Sequence, residues 1–253
     1  MQHMKDLFES IAAGRADAVR EAVAAAPALV HDTDENGKTL LHSAAEHDNV
    51  DLVVHLLSQG AQLEAETHWG MTPLEWAANN GSARVVDLLL SRGARMNMRS
   101  AAAVGKLDTV QTFWIGPREV RPEAAQKGYM QQEDGTYVPT PPPDDYDTIV
   151  SDAFYVAARN GQTHVARWLL ERGANVHHKG TLGGTPLHWA AGNGHRETVA
   201  FLLEHGAESD KHVQDDEFEA TPAGWARHFG RTEILDLLAE DATPSAPCHS
   251  PSR

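Results

Sequence analysis

Cysteine is almost absent: the 253-residue chain has one, Cys248, in a Ser/Pro-rich tail. A single cysteine cannot close an internal disulfide, so a disulfide-stapled scaffold is excluded and a reducing cytoplasm is expected. Long apolar runs are missing as well. None approaches the roughly 18 residues of a membrane-spanning helix, and the opening MQHMKDLFESIAAG lacks the basic-then-apolar pattern of a secretory signal, so no such signal is expected. Positive charge is scarce, with 21 Lys and Arg against 36 Asp and Glu, a net charge of −15. Phosphate backbones and anionic membrane surfaces are read by basic clusters, so neither nucleic acid nor membrane is expected as a partner. No Gly-rich phosphate loop, nucleophile elbow or kinase signature is present. The 15 histidines raise the question of metal. His177, His178 and His212 could approach one another, but no H-x-x-x-H pair with a supporting acid stands on an expected helix, so neither metal nor cofactor is expected. With 41% hydrophobic residues the chain can still bury a core.

What the sequence does have is self-similarity. Gly-Ala recurs at Gly60, Gly93, Gly173 and Gly206, in steps of 33, 80 and 33 residues. Ala-Ala recurs at Ala44, Ala77, Ala157 and Ala190 with the same steps. Two markers sharing one period indicate a structural repeat. In WGMTPLEWAANNG, Thr72 can cap a helix and Pro73 suits its first turn. Leu74, Ala77 and Ala78 fall on one helical face, and Gly81 ends it. Val85, Val86, Leu88, Leu89 and Leu90 then make a broad apolar second helix. One such pair cannot bury its faces alone, whereas stacked neighbours can.

The chain resembles the ankyrin repeat family. The resemblance rests on Gly70-Met71-Thr72-Pro73-Leu74 and Gly184-Thr185-Pro186-Leu187-His188, each followed by Ala-Ala, Gly and Leu-Leu. It implies an all-α solenoid of helix-turn-helix units with short β-hairpin fingers, and a partner-binding scaffold. One domain over 1–239 is expected, of seven repeats near 4–35, 36–68, 69–97, 98–114, 150–180, 181–212 and 213–239, giving 13 or 14 helices. Residues 240–253 read as a disordered tail.

Two departures stand side by side. The fourth repeat is nine residues short of the period and lacks the finger with its Thr-Pro cap. After it comes an insertion, residues 115–149. Within it Tyr129 to Val138 reads as a hairpin turning at Asp134-Gly135, and Pro139 and Pro141 to Pro143 as a stiff extended stretch. The insertion reads either as a tolerated surface loop or as a lid bearing Tyr129, Tyr137 and Tyr146.

Trp76, Trp189 and Trp225 occupy one slot before the Ala-Ala anchor, and Ser100 and Val156 fill it in repeats four and five. The slot is expected to face the concave groove, although a tryptophan there could equally pack on the neighbouring repeat. Glu75, Arg99, Tyr155 and His188 precede it by one place. Asp152 stands where the family has its capping threonine. Two functions follow. In the first, the groove (Trp76, Arg99, Ser100, Tyr155, His188, Trp189, Trp225) holds a neutral or basic protein partner, and the chain is a non-enzymatic monomer. In the second, a small molecule is bound, or turned over, in a pocket at repeats 3–6 beneath the insertion, with Glu75, Asp152, Tyr155 or His188 as acid–base groups.

Overall fold

In the computed structural model, residues 2–126, 128–132, 136–180 and 183–239 are described. The chain divides into two units, residues 1–100 with 125–143, and residues 101–124 with 144–253. Thirteen α-helices stand among the described residues. The first unit holds α1 (Gln2–Ala12), α2 (Ala16–Ala25), α3 (Leu40–Glu46), α4 (Val50–Ser58), α5 (Pro73–Asn79) and α6 (Ala83–Ser91), and the division falls within α7 (Met98–Ala103). The second unit holds α8 (Leu107–Gln111), α9 (Tyr146–Arg159), α10 (Thr163–Leu170), α11 (Pro186–Gly192), α12 (Arg196–Glu204) and α13 (Pro222–His228). The second helix of the last repeat is only a 3-10 turn, Thr232–Ile234.

Local chemistry explains the helix starts. Thr72 is extended, and its hydroxyl accepts from the Glu75 N–H while Pro73, with no N–H to satisfy, opens α5. Thr39, Thr185 and Thr221 stand in the same extended conformation before α3, α11 and α13. Gly81 takes φ +72°, which lets the chain leave α5 and enter α6 across three residues, Asn80 to Ser82. The inward faces are dry: Leu74, Ala77, Ala78, Val85, Val86 and Leu89 are all 0% exposed. Leu88, grouped with them in the sequence, is only half-buried, because it lies at the edge of the face that Val85 and Leu89 share.

The inserted segment is not one body. Trp114–Gly116 pairs with Glu119–Val120 in the second unit, whereas Gly128–Gln131 pairs with Tyr137–Thr140 in the first. The second pairing is the hairpin expected from the sequence. Its Asp134-Gly135 turn lies outside the described residues, as does the 240–253 tail. The structure also moves the insertion's end. Helix α9 begins at Tyr146, with Asp145 as its N-cap accepting from the Thr148 N–H at 2.7 Å.

Candidate functional site

Two of the four acid–base candidates, Glu75 and His188, sit at the third position of a helix, as His42 does in α3, and there they do architectural work. His42 Nδ1 accepts from the Thr39 N–H (3.2 Å), which leaves Nε2–H to donate to the Met71 carbonyl (3.0 Å) of the next finger. His188 repeats this: Nδ1 accepts from the Thr185 N–H (3.1 Å), and Nε2 faces the carbonyls of Val213 (3.0 Å) and Ala220 (3.1 Å). Both rings are fully buried. Burial pushes the His42 imidazole down to about 4 and lowers His188 in the same direction, against the opposing pull of those carbonyls.

Glu75 fills the same position with reversed polarity. Its Oε2 accepts from the Thr72 N–H (2.8 Å) and its Oε1 from Asn97 Nδ2 (2.6 Å). The next repeat has lost its finger, so what it offers here is an amide donor rather than a carbonyl, and an acceptor is required. Burial raises the Glu75 carboxyl, countered by the Thr72 hydrogen bonds and by Arg99. Ser100, expected on the floor of a groove, is 2% exposed. It closes a reciprocal cap with Asn97, whose Oδ1 accepts from the Ser100 N–H (2.8 Å) while Ser100 Oγ accepts from the Asn97 N–H (3.2 Å).

Asp152 is not an N-cap. It lies in the middle of α9 because that helix starts at Tyr146, and it bonds His178 Nε2 at 2.8 Å. Tyr155 is 1% exposed, so it offers no acid to an open groove. Its ring lies against Gly180, where an added Cβ would stand 2.3 Å from Tyr155 Cζ. Gly180→Ala should therefore cost about 1–3 kcal/mol by overpacking. Urea denaturation of that variant checks this, and a midpoint equal to wild type would show that the ring can move aside.

The tryptophan slot divides between the units. In the second, Trp225 is 3% exposed and its Nε1–H donates to Asp215 Oδ2 at 2.8 Å. Trp189, half-buried, meets it edge-on with centroids 4.8 Å apart, under the Arg159 guanidinium at 4.0 Å. His188, Phe218 and Phe229 complete the cluster at 5.7, 5.9 and 6.1 Å from Trp225. Trp225, Tyr155 and His188 are thus packing residues rather than groove walls, and Val156 is 0% exposed. The finger before α13 carries the acidic run Asp215-Asp216-Glu217, and its first carboxylate is turned inward. Asp215, 2% exposed, accepts from the N–H groups of Glu217, Phe218 and Ala220 as well as from Trp225. Burial alone would raise its carboxyl, but these four donors outweigh it and hold it below the usual carboxylate range.

In the first unit the slot stays open. Trp76 is half-buried and stacks on Trp69 with centroids 6.0 Å apart and planes 26° apart. Trp69 is 41% exposed at a fingertip whose turn is fixed by Thr67 Oγ1 accepting from the N–H groups of Trp69 and Met71. Lys38, paired with Glu46, holds its ammonium 5.2 Å from the Trp76 ring and 5.7 Å from Phe8. Phe8, Lys38, Trp76 and Trp69 therefore form a continuous row. Beside it lies a cleft of about 460 Å³ lined by Met4, Phe8, Glu9, Asp34, Glu35 and Lys38. Sequence reasoning passed over Phe8, Lys38 and Trp69. The available signal was Trp69 itself, a large aromatic one place before a finger glycine. Arg99 donates to Asn79 Oδ1 (3.1 Å) and Gln126 Oε1 (2.9 Å), which fastens the 125–143 segment to its unit.

Of the three tyrosines assigned to a lid, the side chains of Tyr129 and Tyr137 lie outside the described residues. Tyr146 is an anchor. Its hydroxyl donates to the Arg172 carbonyl (2.9 Å), and its ring meets Trp114 edge-on at 6.2 Å and Arg118 at 4.8 Å. Trp114 also packs on Trp168 at 4.6 Å, so the first hairpin of the insertion is bound to α9 and α10. Among the histidines, His177 pairs with Asp210 and His178 with Asp152, each at 2.8 Å. Among the described residues no group of three or more His, Cys, Asp or Glu is placed to hold a metal ion.

Comparison with known proteins matches this architecture. A family model described as ankyrin repeats (3 copies) fits residues 7–100 and 151–247. The chain is 28% identical over 210 residues to transient receptor potential cation channel subfamily A member 1 of Homo sapiens, which covers 83% of this chain but 18% of that protein. It is 28% identical over 174 residues to putative ankyrin repeat protein FPV230 of Fowlpox virus (strain NVSL), covering 66% of this chain and 82% of that one. It is 41% identical over 73 residues to the nuclear factor NF-kappa-B p105 subunit of Mus musculus, covering 28% of this chain and 8% of that one. The chain thus spans a small part of the first and last of these relatives. The gap in the family match, residues 101–150, takes in the shortened repeat and the insertion. With its Thr-Pro caps, paired helices and fingers, the chain belongs to the ankyrin repeat family.

Proposed function

We propose that the chain is a non-catalytic scaffold that holds a protein partner on the finger and inner-helix face of its first unit. The observation that carries this reading is the stack of the exposed Trp69 on the half-buried Trp76, continued by Lys38 and Phe8. Large rings left open in a row, one end apolar and the edge polar, are what aromatic hot spots are made of. Three of the four acid–base candidates support the same reading, because Glu75, Tyr155 and His188 are engaged in repeat packing. The net charge of −15 favours a neutral or basic partner, drawn in electrostatically. In this reading the chain works as a monomer in the cytoplasm, without metal or cofactor, and apart from nucleic acid and membrane.

Affinity capture from extract of the source cells tests it, using wild type, Trp69→Ala and Val54→Ala. Val54, on α4 and 37% exposed, lies outside the row. Trp69→Ala should lower recovery of the specific partner at least about tenfold, as for an aromatic hot spot, with an unchanged denaturation midpoint. Val54→Ala should retain it. A partner retained by Trp69→Ala, or lost equally from both variants, refutes the reading.

A further inference from the structure

The scaffold reading makes no use of the proline run in the 125–143 segment. Val138, Thr140, Pro141 and Pro142 each precede a proline, which closes the α region to all four, and each proline fixes its own φ. The structure follows this rule. Tyr137–Thr140 is a strand, and residues 141–144 lie in neither helix nor strand. Pro141 and Pro142 are exposed. Met130 and Val138 are register partners on the preceding hairpin, so they share a face, and they are 55% and 38% exposed. The hairpin fixes one end of the run, and the Arg99–Gln126 bond fastens the start of the segment.

We propose that residues 138–143 are themselves a ligand, an extended segment that leaves the hairpin strand at Thr140 and continues as a stiff polyproline stretch over 141–143, read by a partner domain through an aromatic-lined groove with a basic rim. Such grooves take proline rings between aromatic side chains and donate to the backbone carbonyls. The proline helix loses little entropy on binding because it is stiff beforehand. In sequence the run has Pro-x-x-Pro spacing at Pro139 and Pro142 and continues into Asp144 and Asp145, both exposed. That flank selects a groove bordered by Lys or Arg and disfavours one bordered by carboxylates. Met130 and Val138 extend the apolar ridge beyond the prolines. This inference does not depend on the tryptophan face of the fingers.

Titration calorimetry tests it, with the purified full chain against purified SH3, WW and EVH1 domains, each class represented by one basic-rimmed and one acidic-rimmed member. A basic-rimmed domain should bind with a Kd on the order of micromolar and weaken as salt rises. Pro141→Ala with Pro142→Ala should lower its affinity at least about tenfold, and Asp144→Lys about threefold, while Trp69→Ala leaves it unchanged. The same proline substitutions in a peptide of residues 136–147 should also abolish binding, which separates the effect from any loss of folding. The proposal is overturned if no domain binds tighter than about a millimolar, if the double variant binds like wild type, or if acidic-rimmed domains bind more tightly.

Discussion

Trp225→Ala is expected to lower the stability of the second unit by about 3–5 kcal/mol, as for a core tryptophan truncated to alanine. Three losses coincide. The ring is 3% exposed and touches Trp189, His188, Phe218 and Phe229, so its removal opens a cavity. The Asp215 carboxylate, 2% exposed, loses the Nε1–H donor that helps to keep it ionised. The finger that Asp215 organises then loses its tie to α13. Trp225→Phe should recover part of the packing but leave that oxygen short of a donor, and so fall between the two. Guanidinium denaturation followed by circular dichroism measures all three proteins. A Trp225→Ala midpoint matching wild type would mean that the ring is a surface residue after all.

The second large effect is acid sensitivity. His42 is held near 4 when folded, against an ordinary value of 6.5. The unfolded chain therefore binds the proton more readily across that window. Stability is fully present above about 6.5 and falls as the pH drops toward 4, by roughly 3 kcal/mol from this ring alone. His188 adds a loss of the same sign in the second unit, and Asp215 adds one at lower pH, where its depressed carboxyl protonates. Glu75 works the other way. Its raised carboxyl takes a proton more easily when folded, which offsets part of the loss as the pH falls toward the ordinary carboxylate value. His42→Gln can still accept from the Thr39 N–H and donate to the Met71 carbonyl, but it does not titrate. Its denaturation midpoint should change less between pH 7 and pH 4 than that of wild type, and equal slopes would remove His42 from the explanation.

The repeat was legible because its signals are local. Thr-Pro caps, glycine exits and leucine faces act within one helix, and each appears at its expected place around α5 and α11. The helical wheel also put Trp76, Trp189 and Trp225 in one slot, but it gives only a direction. What fills that direction is decided by side chains of the adjoining finger and turn, which the wheel does not place: Phe218 and Phe229 close over Trp225, whereas Trp76 stacks on a fingertip Trp69 that is itself exposed. Asp152 was misplaced because the period was carried through the insertion. Asp145, Thr148 and the apolar residues Ile149, Val150 and Ala153 already mark an earlier helix start. In the sequence Asp215 is one of three consecutive acidic residues with Asp216 and Glu217, and burial and backbone hydrogen bonds leave no trace in composition.

The docking face is tested most directly by placing a photo-crosslinking phenylalanine analogue at residue 69, and separately at residue 54, in cells that express the full chain. The row of Phe8, Lys38, Trp76 and Trp69 predicts a discrete crosslinked product from position 69, lost when Trp76→Ala is added, and none from position 54. Crosslinking from position 54 with none from position 69 would contradict it.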